Sequence, residues 1–292
     1  MEDYKDWILS GKIASQAREY SKSLIKPGEK LFDIAEKIEA KIKELNAELA
    51  FPVNLSMNET AAHYTPFPED DIILNDEILK VDLGTSVNGA IGDTAYTFDL
   101  SGKYSDLVKS SEEAVNNAAK LIQIGTTLGE IGKTIQETIQ SYGFSSVKNL
   151  SGHGLGRYEI HSSPQIPNYD THDKTVLTKG MLIAIEPFAT NGIGMIKESG
   201  APMIYSQIGK KPVRDFTARK VLDDISHFKE LPFATRWLTK KYTPQRLNLA
   251  LRSLSLAGNL HSYPPLVEVS KGIVAQTEHS FLIDDKVIML TK

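Results

Sequence analysis

Hydrophobic positions along this 292-residue chain fall into blocks of two periodicities. Residues 3–24 and 31–47 carry apolar side chains at helical spacing, punctuated by Pro27-Gly28. Two more helices are expected over 104–123 and 128–142. Between these pairs, residues 79–86 and 90–100 alternate and read as a hairpin turning at Asn88-Gly89, the favoured type I′ dipeptide. Shorter strand-like runs lie at 51–57, 147–152, 181–188, 272–283 and 286–290, and a Pro-broken loop, AAHYTPFPED, holds His63. The stretch 214–260 differs, with Phe216, Val221, Leu222, Ile225, Leu231, Phe233, Trp237, Leu247, Leu249, Leu251 and Leu254 at helical spacing. Thr243-Pro244 reads there as an N-cap followed by Pro at the first helical position. The pattern predicts an α/β (α+β) chain with a helical insertion ahead of its last strands. A DNA-binding helix-turn-helix is the competing reading of that insertion, and its mixed charges favour a packing or pocket-wall role.

Composition narrows the classes. With 41% hydrophobic residues the chain can build one large α/β domain or two modest ones. A net charge of −4 gives no nucleic-acid footprint. The absence of cysteine removes disulfides, thiolate zinc sites and thiol catalysis. The N-terminal MEDYKDWILSGKIASQAREY lacks a signal-peptide apolar run, and no apolar stretch of about 18 residues could span a membrane. A cytoplasmic protein is expected. It is also expected to be monomeric, for want of a sustained exposed heptad or apolar stripe.

Five residues carry the chemistry: Asp82, Asp93, His153, Glu186 and Glu278, each in a strand or at a strand edge. Four carboxylates and an imidazole suit hard or borderline divalent cations. In the hairpin register set by Asn88-Gly89, position 82 lies opposite 95, so Asp82 and Asp93 share a face as diagonal neighbours. Metal ligands and turn-flanking aspartates on a solvated face are both open at that point. In SGHGLGRYEIH, three glycines flank His153 and permit close backbone approach and positive φ, with His161 eight residues on. Glu186 ends the apolar run MLIAIEPF, where an unpaired carboxylate would cost several kcal/mol or take up a proton. Glu278 lies in QTEHSFLI, with His279 facing the other way as a structural residue. His172, His227 and His261 have no supporting context and are expected at the surface.

The segments AAHYTPFPEDD, VDLGTSVNGAIGDTAYTFDL, GHGLGRYEIH, IEP and QTEHSFLI, in this order, resemble the methionine aminopeptidases. Their pita-bread fold, a curved antiparallel sheet covered by helices, is shared with prolidases. FATRWL and YPPL resemble the type II members, without the basic extension of the eukaryotic ones. The resemblance spans nearly the whole chain and implies a catalytic domain at 1–200 and 265–292 with an insertion at 201–264. It implies two divalent cations (Co, Mn, Fe or Zn), with Asp93 and Glu278 bridging, Asp82 completing one site, and His153 with Glu186 the other. His63 and His161 would contact substrate and take part in catalysis with Glu186. Phe51, Ile160 and Tyr263 would hold the methionine side chain, while the region near Ile204 and Pro232 departs from the eukaryotic pocket wall. The implied substrates are N-terminal Met peptides of nascent chains with a small second residue, which brings in the ribosome as a partner. A proline-directed dipeptidase and a non-catalytic binding module of the same fold are the alternatives. Prolidases lack the insertion, and binding modules lose ligands that are all present here.

Overall fold

The computed structural model describes residues 4–292. Helices α1 (Lys5–Lys22) and α2 (Leu31–Glu44) lead into β1 (Glu48–Leu49), β2 (Asn54–Met57) and β3 (Thr60–Ala62). The hairpin β4 (Ile78–Val87) and β5 (Ala90–Asp99) follows, then α3 (Ser105–Leu121) and α4 (Leu128–Ser141). Next come β6 (Ser145–Ser146), β7 (Ser151–Gly156), β8 (Glu159–Pro167), β9 (Leu182–Ile185), β10 (Phe188–Thr190), β11 (Ile196–Glu198) and β12 (Ile204–Gln207). Helix α5 (Phe216–Ile225), β13 (Phe233–Ala234) and α6 (Pro244–Leu256) precede β14 (Leu260–Tyr263) and β15 (Leu266–Glu268). The chain closes with β16 (Val274–Gln276), β17 (Glu278–Leu282) and β18 (Ile288–Met289).

The main sheet runs β1-β4-β5-β17-β9-β7-β8, with β2 on β4 and β18 on β17, and every pairing is antiparallel. Strand alternation divides its faces. Leu79, Val81 and Leu83 of β4 pack with Ile34, Ile38 and Ile42 of α2 and with Ala14 and Ala17 of α1. Ile183, Ile185 and Phe281 pack with Ile131, Ile135 and Ile139 of α4. The four helices thus cover one face, and Asp82 on β4 and Glu278 on β17, which alternate with these residues, face the other way. Helix α4 starts where Thr127 and Glu130 form a reciprocal capping box, and its isoleucines recur every fourth residue.

The insertion is not purely helical. Helices α5 and α6 pack together around Val221, Ile225, Leu247, Leu251 and Leu254, but β12, β13 and β14 form a small sheet beside them. Those strands are only two to four residues long, too short to impose a period on the sequence. Phe216 and Leu249 point outward, 61% and 69% exposed, so helical spacing assigned them to the wrong face. Strand β13 and a short 3-10 turn at Thr235–Leu238 separate α5 from α6, which excludes a helix-turn-helix. Thr243 does occupy the N-cap of α6 with Pro244 at N1, though its hydroxyl makes no capping bond. Arg236 fastens the insertion to the body. Its guanidinium bonds Glu39 of α2 through both terminal nitrogens, and Trp237 Nε1 donates to the same carboxylate at 2.9 Å. Among the described residues no helix is long and apolar enough to cross a membrane.

Candidate metal centre

The hairpin register is the expected one. Val87 pairs with Ala90 and Asp82 with Ala95, and Asn88 and Gly89 have φ of 51° and 85°. On its other side Ala95 pairs with Glu278 of β17, so Asp82 and Glu278 flank one small residue across three strands. Asp93, two residues back on the same strand face, is diagonal to both. Gly84 is paired with Asp93, and the Phe51 ring occupies the space its side chain would take: a Cβ there would lie 2.2 Å from that ring. The other two groups come from the next strands. His153 on β7 pairs with Ala184 on β9, and Glu186 stands two residues beyond Ala184.

The glycines around His153 serve one of the two expected purposes, close backbone approach, and not the other. None of Gly152, Gly154 and Gly156 has a positive φ. They instead let β7 slide between its neighbours, since a Cβ at Gly152 would lie 2.2 Å from the Ala184 carbonyl oxygen, and one at Gly154 would lie 2.2 Å from that of Ser163. Backbone on both sides cannot yield as a flexible side chain would. Gly154→Ala is therefore expected to destabilise the protein by about 1–3 kcal/mol. A urea-melt stability within about 0.5 kcal/mol of the parent would show that the strands have room to spare.

Five polar groups converge with too few partners. His153 Nε2 lies 3.7 Å from Asp93 Oδ2, 3.7 Å from Glu186 Oε1 and 4.0 Å from Glu278 Oε1. All three distances exceed a hydrogen bond. Asp82 Oδ1, Asp93 Oδ1 and Glu278 Oε1 are buried without a hydrogen-bond partner. Several like charges out of water and unpaired would cost several kcal/mol each. Burial pushes the Asp82 carboxyl up to about 7. Burial and the neighbouring carboxylates hold Asp93, Glu186 and Glu278 well above the usual carboxylate range. The His153 ring is driven by burial down to about 3 and stays neutral. Its Nδ1 lies 3.1 Å from the Gly154 carbonyl, which places the proton there and leaves the Nε2 lone pair facing the carboxylates. Ligand atoms of Asp93, His153 and Glu278 all fall within 4.8 Å of one another. Orphaned buried oxygens, a neutral imidazole presenting a lone pair and four acids fit divalent cations.

The other expected residues also meet here. A cavity of about 200 Å³ is bounded by the five groups and by His63, His161, Phe51, Ile160 and Tyr263. The His161 ring meets His153 edge-on at 4.7 Å, and Tyr263 lies 5.8 Å from His161 and 5.5 Å from His63. Burial lowers both His63 and His161 to about 4. His63 holds φ at 65° with a buried Nδ1 that has no partner, a strained posture with a polar atom in reserve. Ile204 and Pro232 of the insertion line the same cavity, so this departing region does form part of its wall. His279 faces the helices, where it contacts Arg18 and Thr291. His172 and His227 are exposed. His261 is exposed too, but its ring packs edge-on against Tyr263 at 4.6 Å, a context the sequence did not supply. Two supporting residues were missed. Gln276 Nε2 donates to Glu186 Oε2 at 3.3 Å, and Asn168 Nδ2 donates to the Glu186 carbonyl at 3.1 Å. Gln276 stands two residues before Glu278, a spacing that could have pointed to it.

The model of metallopeptidase family M24 matches residues 9–224. A methionine aminopeptidase of Methanocaldococcus jannaschii is 46% identical over 100% of this chain and 99% of its own length. The crystal structure of a methionine aminopeptidase from Thermotoga maritima, 26% identical, superposes with a TM-score of 0.72 over 99% of this chain and 96% of that one. The structure of a thermophilic Arx1 superposes at 0.85 over 98% of this chain and 89% of that one; at 15% identity it shows the fold alone. The curled antiparallel sheet with its helical cover is the pita-bread fold. From its buried acid cluster to its full-length likeness to such enzymes, the chain belongs to metallopeptidase family M24.

Proposed function

We propose that this protein is a metal-dependent aminopeptidase that removes N-terminal methionine from peptides whose second residue is small. The observation that carries this reading is the cluster of four carboxylates, three of them each with a buried, orphaned oxygen, in a cavity that Phe51, Ile160 and other apolar side chains help to wall. Asp93 and Glu278 would each serve both of two divalent cations, Asp82 would complete one site, and His153 with Glu186 the other. Cations held there would lower the pKa of a shared water and polarise the scissile carbonyl. Glu186, its second oxygen steadied by Gln276, would accept a proton from the attacking water. His161, neutral and beside the ligand His153, stabilises the negative oxygen that develops on the carbonyl carbon. His63 bonds the peptide amide through its free ring nitrogen. Phe51, Ile160 and Tyr263 receive the methionine side chain, and Ile204 and Pro232 close that pocket from the insertion.

Residues 201–264 therefore act as a wall fixed in place by Arg236 and Glu39, with the catalytic body at 1–200 and 265–292. The working protein is a cytoplasmic monomer whose substrates are nascent chains as they leave the ribosome. Metal-stripped protein should release methionine from a Met-Gly peptide only after addition of Mn or Co. Xaa-Pro dipeptides should stay intact. Cleavage of the Xaa-Pro bond without methionine release would replace this reading with that of a proline dipeptidase. Metal binding with no turnover of either substrate would leave a binding module.

A further inference from the structure

The candidate catalytic cavity does not end at the metal centre. A second cavity of about 310 Å³ adjoins it and shares His63, Asn149, Leu150, Tyr263 and Leu266 as common walls. His63, which in the reading above bonds the peptide amide, is one of these shared walls, so the second space opens on the side of the proposed scissile bond, where the rest of the peptide can leave. A neighbouring groove shares only Asn149, Leu150 and Ser151 with the catalytic cavity and touches neither ring.

The far wall of the second cavity is β11. Ile196 and Glu198 both face it and Lys197 does not, as strand alternation requires. The register sets Glu198 against Leu266 of β15, one of the shared walls. Glu198 is the one carboxylate in this lining, which holds neither Lys nor Arg. Among the described residues it forms no salt bridge, in contrast to Glu59, which pairs with Lys271. An exposed carboxylate without a counter-ion, on the exit path of a peptide, attracts cations and repels anions there.

We propose that Glu198 selects substrates, favouring Lys or Arg over Asp or Glu at the third or fourth residue of the peptide. This rests on the methionine-releasing reading above. No other carboxylate and no Lys or Arg lines the second cavity, so a charge preference exerted there is assigned to this one side chain. An extended peptide advances about 3.3 Å per residue, which carries a third or fourth side chain past the shared walls.

The test compares kcat/KM for Met-Ala-Lys-Ala and Met-Ala-Ala-Lys with their Glu counterparts, each normalised to the uncharged peptide, in the Mn-loaded protein. The Lys peptide should exceed its Glu counterpart by about three- to tenfold at low salt at one of the two positions, and the ratio should shrink towards one near 1 M salt. Glu198→Gln should bring the ratio to within about twofold, and Glu198→Lys should invert it. A parent ratio within twofold at both positions would overturn the proposal, as would a preference retained in Glu198→Gln. If no methionyl peptide is cleaved at all, the aminopeptidase reading itself fails and this inference falls with it. Cleavage without charge preference removes the inference alone.

Discussion

Glu278→Ala is expected to abolish metal binding and activity together, lowering kcat/KM by about a thousandfold or more, equivalent to about 4 kcal/mol of transition-state stabilisation. The reason is position. Glu278 faces Ala95 across the strand pair and lies opposite Asp82 on the far side of that residue. Its Oε1 is 4.0 Å from His153 Nε2 and has no hydrogen-bond partner. As a proposed shared ligand it serves both cations, so its loss weakens both sites at once. A purely structural acid, bonded to its neighbours, would cost stability when removed; removing this buried carboxylate with its orphaned oxygen instead relieves repulsion from Asp93 and Glu186 and stabilises the metal-free protein. The variant should therefore melt at or above the metal-free parent while no longer responding to Mn. His279→Ala is the contrasting control. That ring is the next in sequence but lies on the helical face with Arg18 and Thr291. Its removal should cost stability and spare metal affinity. Turnover near the parent level in Glu278→Ala would sink the assigned role.

How much of this was legible beforehand depended on the length of each pattern. The hairpin β4–β5 has ten residues on each strand and a turn dipeptide that fixes the register, so the diagonal placement of Asp82 and Asp93 followed from alternation alone. The helices α2 and α4 were equally plain because each buries isoleucines on one repeating face. The insertion was less so. Its three strands are shorter than any period they could display, and Phe216 and Leu249 fit the helical spacing yet face solvent. Lys220 Nζ lies 4.5 Å from the centre of the Phe216 ring, which gives that exposed face a cationic neighbour. Around His153 the spacing of glycines was readable but not its cause. Positive φ and close approach leave the same trace in a sequence, and only the neighbouring carbonyls of Ala184 and Ser163 distinguish them. Gln276 and Asn168 contribute through contacts distant along the chain, whereas the ring of His261 contacts Tyr263 two residues on, a pair whose meeting depends on how the short strand β14 is placed. The strand from 272 to 283 reads as continuous, yet it breaks at Thr277 so that β16 and β17 join different sheets.

Saturating Mn should raise the melting temperature, and by more at higher pH. At a free metal concentration about a thousand times Kd the gain is about 4 kcal/mol, or about 10 °C for a chain of this size. The sign of the pH effect follows from the carboxylates. In the metal-free fold Asp82 titrates near 7, and Asp93, Glu186 and Glu278 are held above the ordinary carboxylate range. In the unfolded chain all four ionise at about 4. The metal-free fold therefore binds more protons than the unfolded chain above that point, and these four groups contribute less stability as pH rises through their folded values. A bound cation requires the ionised carboxylates, so it displaces those protons and cancels the penalty. His153 does not counteract this, since burial keeps its ring neutral across the same range. The increment in melting temperature on adding Mn should thus grow between about pH 6 and pH 8, and titration calorimetry in buffers of different ionisation enthalpy should register proton release near pH 7. The buried Lys80 also titrates abnormally, but it contributes to both the metal-free and the metal-loaded curves, and the difference between them isolates the centre. An increment that shrinks with pH, or binding without proton release, would mean that these acids are already ionised and partnered in the metal-free protein, and the orphaned oxygens would need another explanation.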